Sequence, residues 1–186
     1  MSSLRKQLSW CGLVILAALV VWLYWPGDPA AATIRRAGGT VQVLSVEEHR
    51  GRIAITLPDT VGDADLERMT ALDKLQPVWL QLRGQQISGR GLESLKRLVC
   101  LRGLTLYSTS ITDEDLSALA AFPELATLIL DGSRISPGGL EHLKRLPALR
   151  SVSLRVTTLP ADAVRRFQAE CPQVTVLSEF TEKDDD

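Results

Sequence analysis

The chain has 186 residues, of which 45% are hydrophobic and 23% are charged. This length and composition suit one packed domain with short appendages, and they exclude a chain that is disordered throughout. The formal net charge is -1, from 21 basic and 22 acidic residues. Nucleic-acid-binding proteins usually present a basic face, so this charge balance argues against nucleic acid as a partner.

An N-terminal segment, residues 8–25, has the sequence LSWCGLVILAALVVWLYW and contains no charged residue. As a helix this segment would span about 27 Å, close to the thickness of the hydrocarbon core of a bilayer. Trp10 lies near one end and Trp25 near the other, where aromatic rings favour the membrane interface. We therefore predict a transmembrane helix over residues 8–25, ended by Pro26.

The charges that flank this segment predict its orientation. Arg5 and Lys6 precede it, whereas the next basic residue after it is Arg35. The positive-inside rule then places residues 1–7 in the cytoplasm and the rest of the chain outside it. The alternative is a cleaved signal peptide with an A-x-A-like site ending at Ala32, which would make the protein secreted or periplasmic. We favour an uncleaved signal anchor, because the apolar run is longer than the core of a typical signal peptide.

After a linker predicted over residues 26–38, the chain shows an internal repeat. Aliphatic residues recur every 24 residues, at Leu80, Leu104, Leu128 and Val152. Each of them is followed two residues later by a leucine. A spacing of two places both side chains on one face of a short strand. The spacing then becomes three, which indicates a helical face, as at Leu116, Leu119 and Phe122. Each unit is predicted to be strand, turn, helix, turn, and units must stack because none can bury its apolar face alone.

The two ends of the repeat array differ from its centre. Residues 53–178 form the predicted repeats, beginning with an irregular unit. Residues 39–52 are predicted to form a cap strand, at 40–44, and a turn that pairs this strand with residues 53–57. Residues 179–186 end in three aspartates and are predicted to be a disordered acidic tail.

Acidic residues cluster where helices are predicted to begin, as the pairs Asp63/Asp65 and Asp113/Asp115. Carboxylates are stabilised in the first turn of a helix by the helix dipole, which explains these pairs without a catalytic role. Ser136 is suited to cap the helix of the next unit, because its hydroxyl can accept a hydrogen bond from a free backbone N–H.

The phrases LRGLTLYSTSITDEDLSALAAFPELATLILDGSRIS and CPQVTVL resemble leucine-rich repeats of the cysteine-containing, ribonuclease-inhibitor-like subclass. The phrases IRRAGGTVQV and TVGDADL are similar to those of bacterial, envelope-associated members of that family. This resemblance covers about residues 34–178 and implies an α/β leucine-rich-repeat solenoid, with parallel strands on a concave face and helices on a convex face. It implies no activity. The chain departs from longer members in the irregular first unit and in having Thr109 and Ser133 in place of an asparagine ladder.

The residues that flank the buried leucines in each strand are predicted to face the concave surface. The candidate partner-binding residues among them are Trp79, Gln81, Arg83, Thr105, Tyr107, Ile129, Asp131, Ser153 and Arg155. The remaining positions of this surface are Gly103, Thr127 and Ser151. Tryptophan, tyrosine and arginine are enriched in binding hot spots, so a strip that binds a protein or peptide is predicted. The alternative is a solvated sheet face on which Trp79 covers the junction to the irregular unit.

The sequence contains no pattern typical of catalysis or of metal and cofactor binding. The three cysteines and two histidines are dispersed, and no zinc-binding spacing occurs. Cys100 and Cys171 are nearly three periods apart, about 14 Å in stacked strands, which is too far for a disulfide. No phosphate-binding glycine loop and no convergent nucleophile and base are found, so we predict no enzyme activity, no cofactor and no small-molecule substrate.

These observations favour a membrane-tethered interaction module that binds a protein or peptide partner through the concave face. A different class of function is a structural envelope component or spacer that has no specific ligand. A subunit of a larger membrane complex is a third possibility, although the apolar segment contains no small-xxx-small motif for pairing with another helix.

Overall fold

The computed structural model describes residues 29–43, 53–69, 71–76 and 78–178. Within these ranges, strands β1 to β7 form one sheet whose spatial order follows the chain. The strands are β1 Thr40–Val43, β2 Ile53–Thr56, β3 Trp79–Arg83, β4 Gly103–Tyr107, β5 Thr127–Ile129, β6 Ser151–Ser153 and β7 Thr175–Leu177.

The strands from β2 to β7 are parallel, and the 24-residue period determines their register. Leu80 pairs with Leu104, Leu104 with Leu128, and Leu128 with Val152, so equivalent residues of successive units lie side by side. All four side chains are fully buried. Each buried leucine contributes roughly 1.5–3 kcal/mol of transfer free energy, and stacking is what removes it from water. The predicted α/β class with parallel strands is confirmed.

Helices connect the strands and cover one face of the sheet. They are α1 Pro29–Arg36, α2 Asp63–Arg68, α3 Ala71–Leu75, α4 Gly89–Leu95, a 3-10 helix Glu114–Ala121, α5 Pro137–Leu143 and α6 Ala161–Glu170. The 3-10 helix has three residues per turn, so the spacing of three at Leu116, Leu119 and Phe122 places all three side chains in the core.

The linker predicted over residues 26–38 is wrong in its described part. Residues 29–36 form helix α1, whose Ala30, Ala31 and Ile34 are buried. This helix packs on α3 and β1 and covers the apolar end of the irregular first unit. The backbone of Gly39 lies close against α1, since a Cβ atom at this position would be 2.8 Å from Cγ2 of Ile34.

Strand β1 lies in the segment predicted to form a cap, and it is antiparallel to β2, with Val41 opposite Ile55. Its connection to β2, residues 44–52, lies outside the described residues, as do residues 1–28 and 179–186. The apolar segment 8–25 and the acidic tail therefore stay predictions. Of the helices in the described ranges, none is long and apolar enough to cross a membrane.

The acidic residues at the helix starts also connect neighbouring units. Oδ1 of Asp63 accepts a hydrogen bond from the backbone N–H of Ser88 at 2.9 Å, and the Ser88 hydroxyl donates to Oδ2 of Asp63. Asp113 and Ser136 repeat this pair of contacts two periods later along the array, again with an N–H to Oδ1 distance of 2.9 Å. Ser136 also caps α5 as predicted, accepting from the N–H of Gly138 at 3.1 Å.

Candidate functional site

Strands β3 to β6 present three rows of side chains on the face opposite the helices, which we call the open face. It corresponds to the face predicted to be concave. The first row is Trp79, Gly103, Thr127 and Ser151. The central row is Gln81, Thr105, Ile129 and Ser153. The last row is Arg83, Tyr107, Asp131 and Arg155, at or just beyond the strand ends. Neighbours within a row belong to adjacent strands about 4.8 Å apart.

The first row is dominated by the indole ring of Trp79. This ring lies across Gly103, where a Cβ atom would be 2.2 Å from Cε3 of Trp79. Trp79 is half-buried. Because its ring lies over Gly103, it covers part of the next regular unit and not only the junction to the irregular one. Gly103 is required here because any side chain would occupy the space of the ring.

The central row offers less surface than the sequence predicts. Thr105 is 7% exposed and Ser153 is 6% exposed, so these two candidate residues are wrong as accessible partner-binding positions. Both side chains are short, and a longer side chain of the last row reaches over Ser153. The Ser153 hydroxyl, for example, donates to Oδ1 of Asp131 at 2.7 Å. Gln81 and Ile129 remain half-buried.

The last row is the most exposed and is held by contacts between its own members. The guanidinium carbon of Arg83 lies 5.6 Å from the ring centroid of Tyr107, within cation–π distance. With its amide oriented to satisfy both partners, Gln81 accepts hydrogen bonds from Nε and Nη2 of Arg83 at 2.9 and 2.8 Å. Oδ1 of Asp131 also accepts from the backbone N–H of Arg155 at 3.0 Å.

A groove of about 450 Å³ runs beside the first row, where the chain turns into strands β4 to β6. Trp79 and Thr127 line one side. Arg102 and Arg150 occupy equivalent positions in two of the turns, and Arg102 Nε lies 3.0 Å from Oε2 of Glu124. Sequence reasoning missed these residues because they precede the strands. The spacing of Arg102 and Arg150, which is two periods, could have indicated that they occupy equivalent turns.

The described residues contain no group of three or more histidine, cysteine, aspartate or glutamate side chains placed to hold a metal ion. Cys100 and Cys171 are both free thiols, as predicted; Cys171 is buried and Cys100 is half-buried.

No protein-family model matches the chain, and no curated protein matches it either. Among solved structures, an internalin from Listeria monocytogenes is similar at 23% sequence identity and a TM-score of 0.46. The match covers 60% of this chain and 31% of the internalin chain, so this chain spans less than a third of that protein. The stacked-repeat architecture described above rests on the strand register and the 24-residue period of this chain itself.

Proposed function

We propose that this chain is a membrane-tethered module that binds a protein or peptide partner through its open face. The last row carries this proposal. Tyr107 is 44% exposed, an unusual exposure for a large aromatic side chain, and it stands in register between charged residues. Tyrosine and arginine are among the residue types enriched in binding hot spots.

The contacts within the last row support this function because they hold its side chains before a partner arrives. Arg83 is restrained on both sides, by the ring of Tyr107 and by the amide of Gln81. Ordering a flexible side chain on binding costs about 0.5–1.5 kcal/mol, and restraint in the free protein reduces that cost. None of these contacts lies in the core that holds the units together, so their removal should spare the fold.

The membrane tether is supported by the apolar, uncharged segment 8–25. Ala30 and Ala31 are buried in helix α1, so cleavage near Ala32 would remove them from the core. This favours an uncleaved anchor, with the repeats outside the cytoplasm and close to the membrane surface, over a secreted or periplasmic product. Mass spectrometry of the N-terminus of the protein purified from membranes tests this point. A mature chain beginning after Ala32 would contradict it.

The binding function is tested by affinity capture with the full chain from detergent-solubilised membranes. The test variant is Tyr107→Ala with Arg155→Ala. The matched control is Val99→Ala with Arg165→Ala, which changes an exposed apolar residue and an exposed arginine away from the open face. Circular dichroism establishes that both variants are folded.

We expect a partner to be recovered by the parent and the control but lost by the open-face variant. Equal recovery by all three proteins would place the site elsewhere. If the parent enriches nothing above the empty resin, the structural envelope or spacer function becomes the better account.

A further inference from the structure

The groove beside the first row has a mixed apolar and aromatic lining. Pro123, Ala126 and Ala148 contribute small apolar side chains, and Trp79 contributes its indole ring. Gly103 leaves room for this ring to lie across β4. The region from Trp79 on β3 to the turn before β6 crosses three strand spacings, about 14 Å, which matches roughly four residues of an extended peptide.

Two arginines line this groove, and they differ in whether a carboxylate pairs with them. Arg102 is paired with Glu124 at 3.0 Å. Arg150 donates through Nη1 to the carbonyl oxygen of Leu149 at 2.9 Å, and no carboxylate within the described ranges pairs with it. Arg150 is exposed and can therefore receive a further acceptor.

The charge around the groove is opposite in sign to that of the whole chain. The groove lining contains two arginines, Arg102 and Arg150, and one carboxylate, Glu124. The formal charge of the lining is therefore +1, in a chain whose net charge is -1. A groove lined by apolar side chains and by an excess of positive charge is complementary to a segment that combines apolar and acidic side chains.

We propose that the groove binds an extended acidic peptide segment of the partner, and this rests on the proposed function. A carboxylate of the peptide pairs with Arg150, where Arg guanidinium geometry suits a two-point contact. A neighbouring apolar side chain of the peptide packs on the indole of Trp79. The last row then contacts surfaces of the partner beyond this segment.

Trp79 provides a direct reporter of binding. The chain has four tryptophans, and the other three, Trp10, Trp22 and Trp25, lie in or at the apolar N-terminal segment. The full chain with these three replaced by phenylalanine, in detergent micelles, leaves Trp79 as its only tryptophan. The probe is the hexapeptide acetyl-Ser-Leu-Asp-Glu-Leu-Ser-amide, and its control is the same peptide with Asn and Gln in place of Asp and Glu.

We expect the acidic probe to produce a saturable change in Trp79 emission and the amide control to bind about tenfold more weakly, the loss expected from one charge-assisted hydrogen bond. Arg150→Gln should weaken the acidic probe to the same degree, whereas Arg165→Gln on helix α6 should leave it unchanged. Raising the salt concentration should weaken the acidic probe more than the amide control.

Equal binding of the two peptides, equal binding by the Arg150→Gln variant, or no saturation up to about 1 mM would overturn this inference. Such a result would leave the proposed function standing if the Tyr107→Ala, Arg155→Ala variant still loses its captured partner. If the Tyr107→Ala, Arg155→Ala variant keeps its captured partner while binding of the acidic probe depends on Arg150, the last row is rejected as the binding site and the groove is retained.

Discussion

One backbone position in each regular unit has a positive φ, and in one unit it carries a branched side chain. The positions are 24 residues apart: Gly84 with φ 96°, Ser108 with φ 52°, Gly132 with φ 70° and Val156 with φ 54°. Left-handed backbone costs an L-residue about 1–2 kcal/mol and is least tolerated by β-branched side chains. Val156 is 66% exposed, so its packing offsets little of this cost.

The size of the effect follows from comparing Val156→Ala with Val156→Gly. Both variants lose the same exposed methyl groups, and they differ only in Cβ. Removing Cβ relieves about 1–2 kcal/mol of strain at this φ, while the freer unfolded chain of the glycine variant costs about 0.5–1 kcal/mol. We therefore expect Val156→Gly to be more stable than Val156→Ala by about 0.5–1 kcal/mol.

The control is Ala169→Gly, at an exposed position within helix α6. There the same loss of Cβ should destabilise the protein, by up to about 1 kcal/mol. Urea denaturation followed by circular dichroism measures all of these free energies. If Val156→Gly is less stable than Val156→Ala by as much as the control loses, the backbone at Val156 is not left-handed and the strain argument fails.

Three further predictions concern the core, the links between units and the first row. Leu106→Asp should abolish cooperative unfolding measured by circular dichroism, because it buries an unpaired charge between units; an unchanged melting curve would refute the repeat register. Asp113→Ala should lower the free energy of unfolding in urea by about 1–2 kcal/mol, because it removes two hydrogen bonds from Ser136, whereas an unaltered value would show that this link contributes nothing. Gly103→Ala should displace the Trp79 ring and cost about 1–3 kcal/mol, with a red shift of Trp79 emission in the single-tryptophan chain; an unshifted spectrum would contradict the ring placement.

The strand register could be predicted from the sequence because a single period governs it. A residue such as Leu104 needs the same environment as its equivalents one unit before and after, so equal spacing in sequence becomes side-by-side pairing in the sheet. The helix of each unit was equally visible, since its apolar residues must point at the same core. Because the pattern occurs in several units, each unit supports the same assignment of strand and helix.

Helix α1 could not be predicted in the same way, because it occurs once. Its buried residues, Ala30, Ala31 and Ile34, are few and small, and the alanines also fit the pattern of a signal peptidase site. The need for this helix comes from the open end of the irregular unit, a property of the assembled array rather than of the local sequence. The same applies to the contact of Asp63 with Ser88, which joins two units and has no counterpart within either one.

The candidate site shows where periodicity stops being informative. Alternation along each strand correctly placed the open-face residues on one side, because that depends only on backbone geometry. Exposure depends on neighbours in other units: Ser153 is covered because Asp131 reaches over to it. Thr105 is buried as well. Arg150 was missed for the converse reason, since it lies in a turn where the strand alternation does not apply.

A stacked repeat separates the residues that build the fold from those that give the open face its chemistry. The core positions are apolar in every unit, whereas the last row changes from arginine to tyrosine to aspartate to arginine at spacings of about 4.8 Å. Stacking alone does not require this variation, because each of these side chains is outside the core. Its contacts, from Arg83 on Tyr107 to Asp131 on Ser153, join adjacent units on the open face. A spacer would need no such arrangement, and this difference is the physical reason to look for the partner on the open face first.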